Sequence, residues 1–304
     1  MTKNLFIFGA GYSAGRFAAE MRAAGWQVTG TTRSPERAVE LARAGLTPLI
    51  YQGGHSTDVA AALKAADAIL VSIAPDAGQH DAQSSFRGDP VLADFAADLR
   101  ALPQKPWIGY LSTVGVYGNH DGAWVDEAAD CRPVSRRSRA RLLAETAWQD
   151  LADEAGLALG IFRLSGIYGP GRNPLEKVAR GEGRRINKPG QVFNRIHVND
   201  IATALRLAVE RNKAGIFNIT DNEPAPPQDV VAFAAGLLEV EVPPLIAFED
   251  ADLSPMGRSF YGENKRVCNA RSKTQLGMDY SVPDYRAGMR LALESWKARG
   301  KPRG

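Results

Sequence analysis

The chain has 304 residues, 44% hydrophobic and 23% charged, with 37 Lys and Arg against 34 Asp and Glu for a formal charge of +3. That is an ordinary globular composition, enough for one large domain or two unequal ones, and so small a charge surplus gives no reason to expect a nucleic acid or a membrane as partner. Its two cysteines, Cys131 and Cys268, show neither Cys-x-x-Cys nor Cys/His spacing, and the N-terminal apolar run of about five residues is too short for a signal-peptide core, so a reducing, cytoplasmic setting is the expectation.

The first element is the most informative. Asn4 to Phe8 reads as a short apolar strand that runs into Gly9-Ala10-Gly11-Tyr12-Ser13-Ala14-Gly15 and then an Ala/Arg-rich helix. Gly9 permits a tight turn, Gly11 lets backbone approach a pyrophosphate, and the small Ala14 lets helix and strand pack closely. Gly9, Gly11, Tyr12, Ser13 and Ala14 are therefore the expected phosphate cradle of a dinucleotide, with the anion at the positive end of the helix dipole.

A second strand is expected over Trp26–Thr32. Its end is where an Asp or Glu would hold the ribose 2′-hydroxyl of NAD, roughly 20 residues past the glycines. No acid stands there; Thr31, Thr32, Arg33 and Ser34 offer hydroxyls and a guanidinium instead. Because Arg pairs with phosphate bidentately, this set suits the 2′-phosphate of NADP(H), the preferred cofactor, with NAD(H) as the alternative.

Further strands are expected over Leu46–Tyr51, Ala68–Ile73, Trp107–Ser112, Leu159–Leu164 and Gly215–Thr220, alternating with helices, one from about Ser135 to Ala155. The alternation predicts an α/β Rossmann-type doubly wound parallel sheet, whose ligands sit at the carboxyl ends of the strands; the loops beginning at Gly9, Thr31, Ala74, Thr113 and Ser165 then converge on one cleft, with Ile73 and Ala74 on the cofactor side. Past Tyr168 the chain becomes basic, glycine-punctuated and proline-rich. The expected division is a dinucleotide-binding domain over 1–168, to which 195–222 returns, and a smaller, irregular substrate lobe from 169–194 and 223–304.

Several segments together resemble the extended short-chain dehydrogenase/reductase family, the group that includes nucleotide-sugar epimerases and dehydratases. They are Leu111-Ser112-Thr113-Val114-Gly115-Val116-Tyr117-Gly118, Phe162-Arg163-Leu164 with Ile167-Tyr168-Gly169-Pro170, Arg195-Ile196-His197-Val198-Asn199-Asp200, and Phe217-Asn218-Ile219. The similarity runs from Leu5 to about Trp296 and implies the family's catalytic scheme. There a Ser/Thr polarises the substrate oxygen, a Tyr moves the proton, and a Lys four residues later lowers that Tyr's pKa and holds the nicotinamide ribose. Thr113 matches the Ser/Thr, but matching through Leu142 and Glu145 puts Arg137 and Arg141 where the Tyr and Lys belong.

Arg137 is not a proton shuttle, because guanidinium stays charged at any working pH, whereas Arg141 retains the ability to hold ribose hydroxyls. Tyr117 and Tyr168 are the phenols expected near the cleft, Tyr117 as a substitute acid and Tyr168 toward the substrate. The basic run from Arg136 to Arg141 reads equally as an anion site or a solvated helix face. Phe193 replaces the Arg that binds diphosphate in sugar-nucleotide members, and Gly166 replaces an Asn, which argues against a nucleotide-sugar substrate. Arg172, Arg184, Arg185 and Arg195 surround the lobe instead, so an anionic small molecule is the expected partner, with Arg172 and Arg195 as its candidate contacts. His197 reads as structural beside a helix-capping Asp200, and His55, His80, His120 and His197 lack metal-ligand spacing.

The expectation is an atypical family member, an NADP(H)-dependent oxidoreductase acting on a small carbonyl, alcohol or sugar-like molecule, with Thr113, Arg141 and Tyr117 as its catalytic set. The alternatives are a non-catalytic NADP(H)-binding regulator and an epimerase or dehydratase with tightly held NAD(P). A homodimer is compatible with the sequence, and no metal is expected.

Overall fold

Successive side chains of a strand face opposite ways, and in the strand Asn4–Phe8 (β1) this sends Leu5 and Ile7 to one core and Phe6 and Phe8 to another. A computed structural model describes residues 2–77 and 88–298. The other strands of the central sheet are Gln27–Thr32 (β2), Thr47–Ile50 (β3), Ala68–Val71 (β4), Trp107–Thr113 (β5), Leu159–Leu164 (β6) and Gly215–Ile219 (β7). All seven are parallel, in the order β7-β6-β5-β4-β1-β2-β3. The order reverses direction at β1 and β4, which leaves a crevice above their carboxyl ends.

Helices cover both faces, as two-sided apolar strands require. On one face lie Tyr12–Ala23 (α1), Pro35–Arg43 (α2) and Val198–Glu210 (α7), with Ala14, Phe17, Leu41, Ile201 and Leu205 buried against Leu5, Ile7, Leu111 and Phe162. On the other lie Thr57–Lys64 (α3), Pro90–Arg100 (α4) and Arg136–Ala155 (α5), whose Leu63, Phe95 and Trp148 pack on Phe6, Phe8, Ile108 and Tyr110.

A second core forms where Pro174–Ala179 (α6), Pro227–Leu238 (α8) and Tyr285–Ala298 (α10) meet around Tyr168, Leu175, Ala234 and Met289, the short helix Pro255–Phe260 (α9) preceding α10 in the chain. Short parallel pairs attach this lobe: Gly166–Tyr168 with Arg195–His197, and Arg185–Asn187 with Leu245–Ala247. The division at 222–223 expected from sequence is crossed by one segment. Arg266–Val267 pairs with Trp124–Val125, and Leu276, Met278 and Tyr280 sit in the core beside α7.

Beneath the carboxyl end of β5, α5 and β6 are joined by a buried ion pair. Glu145 and Arg163 have side chains only 2% and 5% exposed, with NH2 2.7 Å from Oε2 and Nε 3.2 Å from both carboxylate oxygens. Ser112 also donates its hydroxyl to Glu145. Removing one partner strands the other as an uncompensated charge, so Glu145→Ala is expected to cost about 3–5 kcal/mol. Urea unfolding of that variant beside the double variant Glu145→Ala/Arg163→Met, expected to recover part of the loss, checks this.

Candidate active site

The glycine turn adopts the geometry its residues imply. Gly9 has φ +80°, and a Cβ there would meet Ile73 Cγ1 at 2.9 Å, so both conformation and space demand glycine. A Cβ on Gly11 would touch only Gly9 O, at 3.9 Å, which leaves its backbone approachable from solvent. Thr31 is buried as the brace of this turn: its Oγ1 accepts from Gly9 N at 2.8 Å, and its carbonyl accepts from Ala10 N at 2.9 Å. No side chain caps the first turn of α1, whereas Ser34 caps α2 and Ser135 caps α5. Unused N–H groups at an approachable helix start are what a pyrophosphate needs.

Ser13 and Ala14 are buried, so what they offer a ligand is backbone and close packing. Tyr12 is 38% exposed and donates its hydroxyl to Pro170 O at 3.0 Å, with the Arg172 guanidinium 6.0 Å from its ring centre. At the end of β2, Thr32 is half-buried and Arg33 exposed, and the Arg33 guanidinium has no protein partner among the described residues. Ser34 accepts from Arg37 N as the α2 cap, which leaves its hydroxyl hydrogen for a ligand.

A cleft of about 1420 Å³ opens beside these elements, bordered by Ala74, Thr113, Ser138, Arg141, Ser165 and the second lobe. Thr113 ends β5, and its Oγ1 accepts from Gly115 N at 3.1 Å, so its proton points to no protein acceptor. Ser138 Oγ flanks Gly115 together with Thr113 Oγ1, a Cβ there meeting them at 2.7 and 3.4 Å, and receives a hydrogen bond from Ser135 Oγ at 2.8 Å. Arg141 reaches the cleft, but its NH1 is spent on Leu111 O at 2.7 Å and Tyr110 OH at 3.2 Å. Arg137 also lines the cleft, with its guanidinium 5.7 Å from the Phe260 ring centre.

Two expected phenols are not presented to the cleft. Tyr117 is fully buried; its hydroxyl donates to Asn218 Oδ1 at 2.7 Å, its ring lies under the Arg163 guanidinium, and burial pushes its pKa up to about 12. A sealed, hydrogen-bonded phenol of that pKa is not a proton donor to a ligand. Tyr168 borders the cleft with its ring, but its hydroxyl is directed to Asp284 O at 3.3 Å against α10, with its pKa raised by burial. It is a packing residue. Arg185 and Arg184 are likewise engaged with backbone carbonyls, Arg185 with Gln228 and Pro243 and Arg184 with Asp252.

His197 is 2% exposed and caps α7, its Nδ1 accepting from Asn199 N at 3.3 Å. Asp200, expected as the cap, instead reaches across to Ser281 N and Oγ and to Val282 N. His55 pairs with Asp98 and His120 lies 3.2 Å from Asp130 O, while His80 lies outside the described residues.

Sequence reasoning put the loop from Ser165 at the cleft without giving its hydroxyl a role, and missed Lys265 and Tyr261 as cleft residues. Ser165 has a buried hydroxyl with no partner. Lys265 is 5% exposed, and its Nζ donates to Gly118 O at 2.8 Å and Glu263 Oε2 at 2.7 Å. Tyr261 packs on Phe193 and Phe248, and its hydroxyl has no protein partner. Their only signal was a polar residue in an unpatterned loop.

A model of the NAD dependent epimerase/dehydratase family matches residues 5–220. The chain belongs to that family. It is 30% identical over 293 residues to the protein YeeZ of Escherichia coli K12, covering 93% of this chain and 97% of YeeZ. A functionally unknown conserved protein from Silicibacter pomeroyi is 44% identical in structure-based alignment, with TM-score 0.87 over 97% of this chain and 99% of that one. The UDP-glucose 4-epimerase of Thermotoga maritima shares the fold at 17% identity, with TM-score 0.76 over 97% and 99%.

Burial, and secondarily the charge of Arg16, pushes the His197 pKa down to about 4. Its folded value then lies below the unfolded value near 6.5, so the unfolded state binds more protons between them and stability falls as pH drops from 6.5 towards 4. Urea midpoints across that range are expected to fall less steeply for His197→Asn than for the wild type.

Proposed function

We propose that this protein is an NADP(H)-dependent oxidoreductase for a small carbonyl or alcohol substrate. The observation that carries the reading is the end of β2, where an unpartnered Arg33 guanidinium and the Thr32 and Ser34 hydroxyls stand and no carboxylate does. A carboxylate there would select the 2′-hydroxyl of NAD by accepting from it, whereas a free guanidinium favours a 2′-phosphate. The glycine turn and the uncapped start of α1 suit the pyrophosphate of either cofactor.

When bound, the nicotinamide cofactor supplies the redox chemistry. Thr113 donates a hydrogen bond from its free hydroxyl to the substrate oxygen and so orients the reacting carbon, keeping its own proton. The unspent nitrogens of Arg141 hold ribose hydroxyls, with NH1 anchored on Leu111 O fixing the side chain's direction. The proton that the family's Tyr would move comes from water through the hydroxyls of Ser135 and Ser138, which are already hydrogen-bonded to each other beside Gly115.

Burial of Tyr117 and engagement of Tyr168 favour one other reading, a dinucleotide-binding regulator without turnover. Oxidation of NADPH by any member of a carbonyl panel decides against it.

Calorimetric titration is expected to show tighter binding of NADPH than of NADH, with Arg33→Ala weakening NADPH by about tenfold or more and leaving NADH unchanged, since a hydrogen bond to a charged group contributes about 1.5–3 kcal/mol. Equal binding of both cofactors to wild type and variant would overturn the NADP preference. Once a substrate is found, Thr113→Ala is expected to lower kcat about a hundredfold without changing NADPH affinity, the lower end of what losing a positioned hydrogen-bond donor to the reacting oxygen costs.

A further inference from the structure

On the second-lobe side of the cleft, Arg195 lies half-buried without a carboxylate within ion-pair distance among the described residues. Its NH1 donates to Phe193 O at 2.9 Å and Ala225 O at 3.1 Å. The remaining guanidinium nitrogens have no protein partner, yet they are not sealed from solvent, and the residue lines the cleft. The Tyr261 hydroxyl is in the same condition among the described residues: unpartnered, unsealed and on the cleft wall, its ring packed 5.1 Å from that of Phe193, whose carbonyl takes Arg195 NH1. Gly166, the register partner of Arg195, adds no side chain between them and the cleft, and next to it the Ser165 hydroxyl is buried without a partner.

A half-buried guanidinium with open N–H groups facing a cleft gains most when an anion meets it. The surroundings add to the demand, because eight Arg and Lys side chains line the cleft against three Glu and no Asp. The acid behind Arg195 does not supply the charge. Asp221 Oδ2 is buried without a partner, and burial, only partly offset by Glu223 N and Arg195, pushes its carboxyl up to about 8.

We infer that Arg195 and Tyr261 form an oxyanion clamp, and that the substrate carries a carboxylate or phosphate group held there while its reacting carbon lies toward Thr113. The inference rests on the oxidoreductase reading for the substrate's role and on geometry alone for the anion site.

The test is calorimetric titration of the full-length protein with inorganic phosphate and, separately, oxalate, each with and without saturating NADPH. Saturable binding of either anion is expected. It should weaken about tenfold or more in Arg195→Met, and about fivefold in Tyr261→Phe, which keeps the ring packing. Whichever anion binds more tightly identifies the group. Anion binding that is the same in wild type, Arg195→Met and Tyr261→Phe, or no saturable binding up to about 50 mM, overturns the clamp. If Arg195→Met does not fold, as a thermal melt would show, Tyr261→Phe and Arg195→Lys decide. Arg195-dependent anion binding beside a silent NADPH titration would remove the cofactor reading and leave the clamp standing.

Discussion

The buried pairing of Glu145 with Arg163 is the constraint on which the site's geometry rests. Two charges removed from water must be matched nearly atom for atom, and here the match spans three elements, with Glu145 on α5, Arg163 on β6 and Ser112 on β5. Helix α5 is thereby held in one position over the sheet, and with it Ser138 and Arg141 at the cleft rim. The guanidinium also lies over the Tyr117 ring, whose hydroxyl goes to Asn218 on β7. The phenol that the Val-Tyr-Gly segment places near the chemistry is thus part of the platform beneath it.

The cleft sorts its polar groups by whether the protein has already used them. Arg184, Arg185 and Lys265 are committed to carbonyls or a carboxylate, and Tyr168 to a carbonyl. Thr113, Arg195 and Tyr261 retain donors that no described residue accepts, as does the exposed Arg33 outside the cleft at the end of β2. Since a buried donor left unmade costs more than a made one returns, the uncommitted set marks where ligand atoms are expected better than residue type does. It runs from the end of β2, past β5, to the second lobe.

The fold was legible because period-two and period-3.6 patterns report burial directly. Leu5 to Phe8, Ala68 to Val71 and Leu159 to Leu164 are apolar on both sides, and such strands belong between two helical layers. The second lobe was less legible. Its strands are only three residues long, and Leu276 to Tyr280 join a core more than 200 positions away, at Leu5 and Ile7, by contacts that local pattern does not encode.

By itself the sequence determined the glycine turn, the parallel sheet, the absence of an acid at the end of β2 and the loss of the Tyr at position 137, because each depends on residue type at a place set by local periodicity. Only the tertiary structure decided which polar groups remain open. Tyr117, Tyr168, Tyr261, Arg185 and Arg195 are equivalent candidates as letters, and the hydrogen-bond partners of all but Tyr261 lie between 2 and 116 positions away. A side chain's availability depends on desolvation and on those distant partners, and both are settled only when the chain has packed.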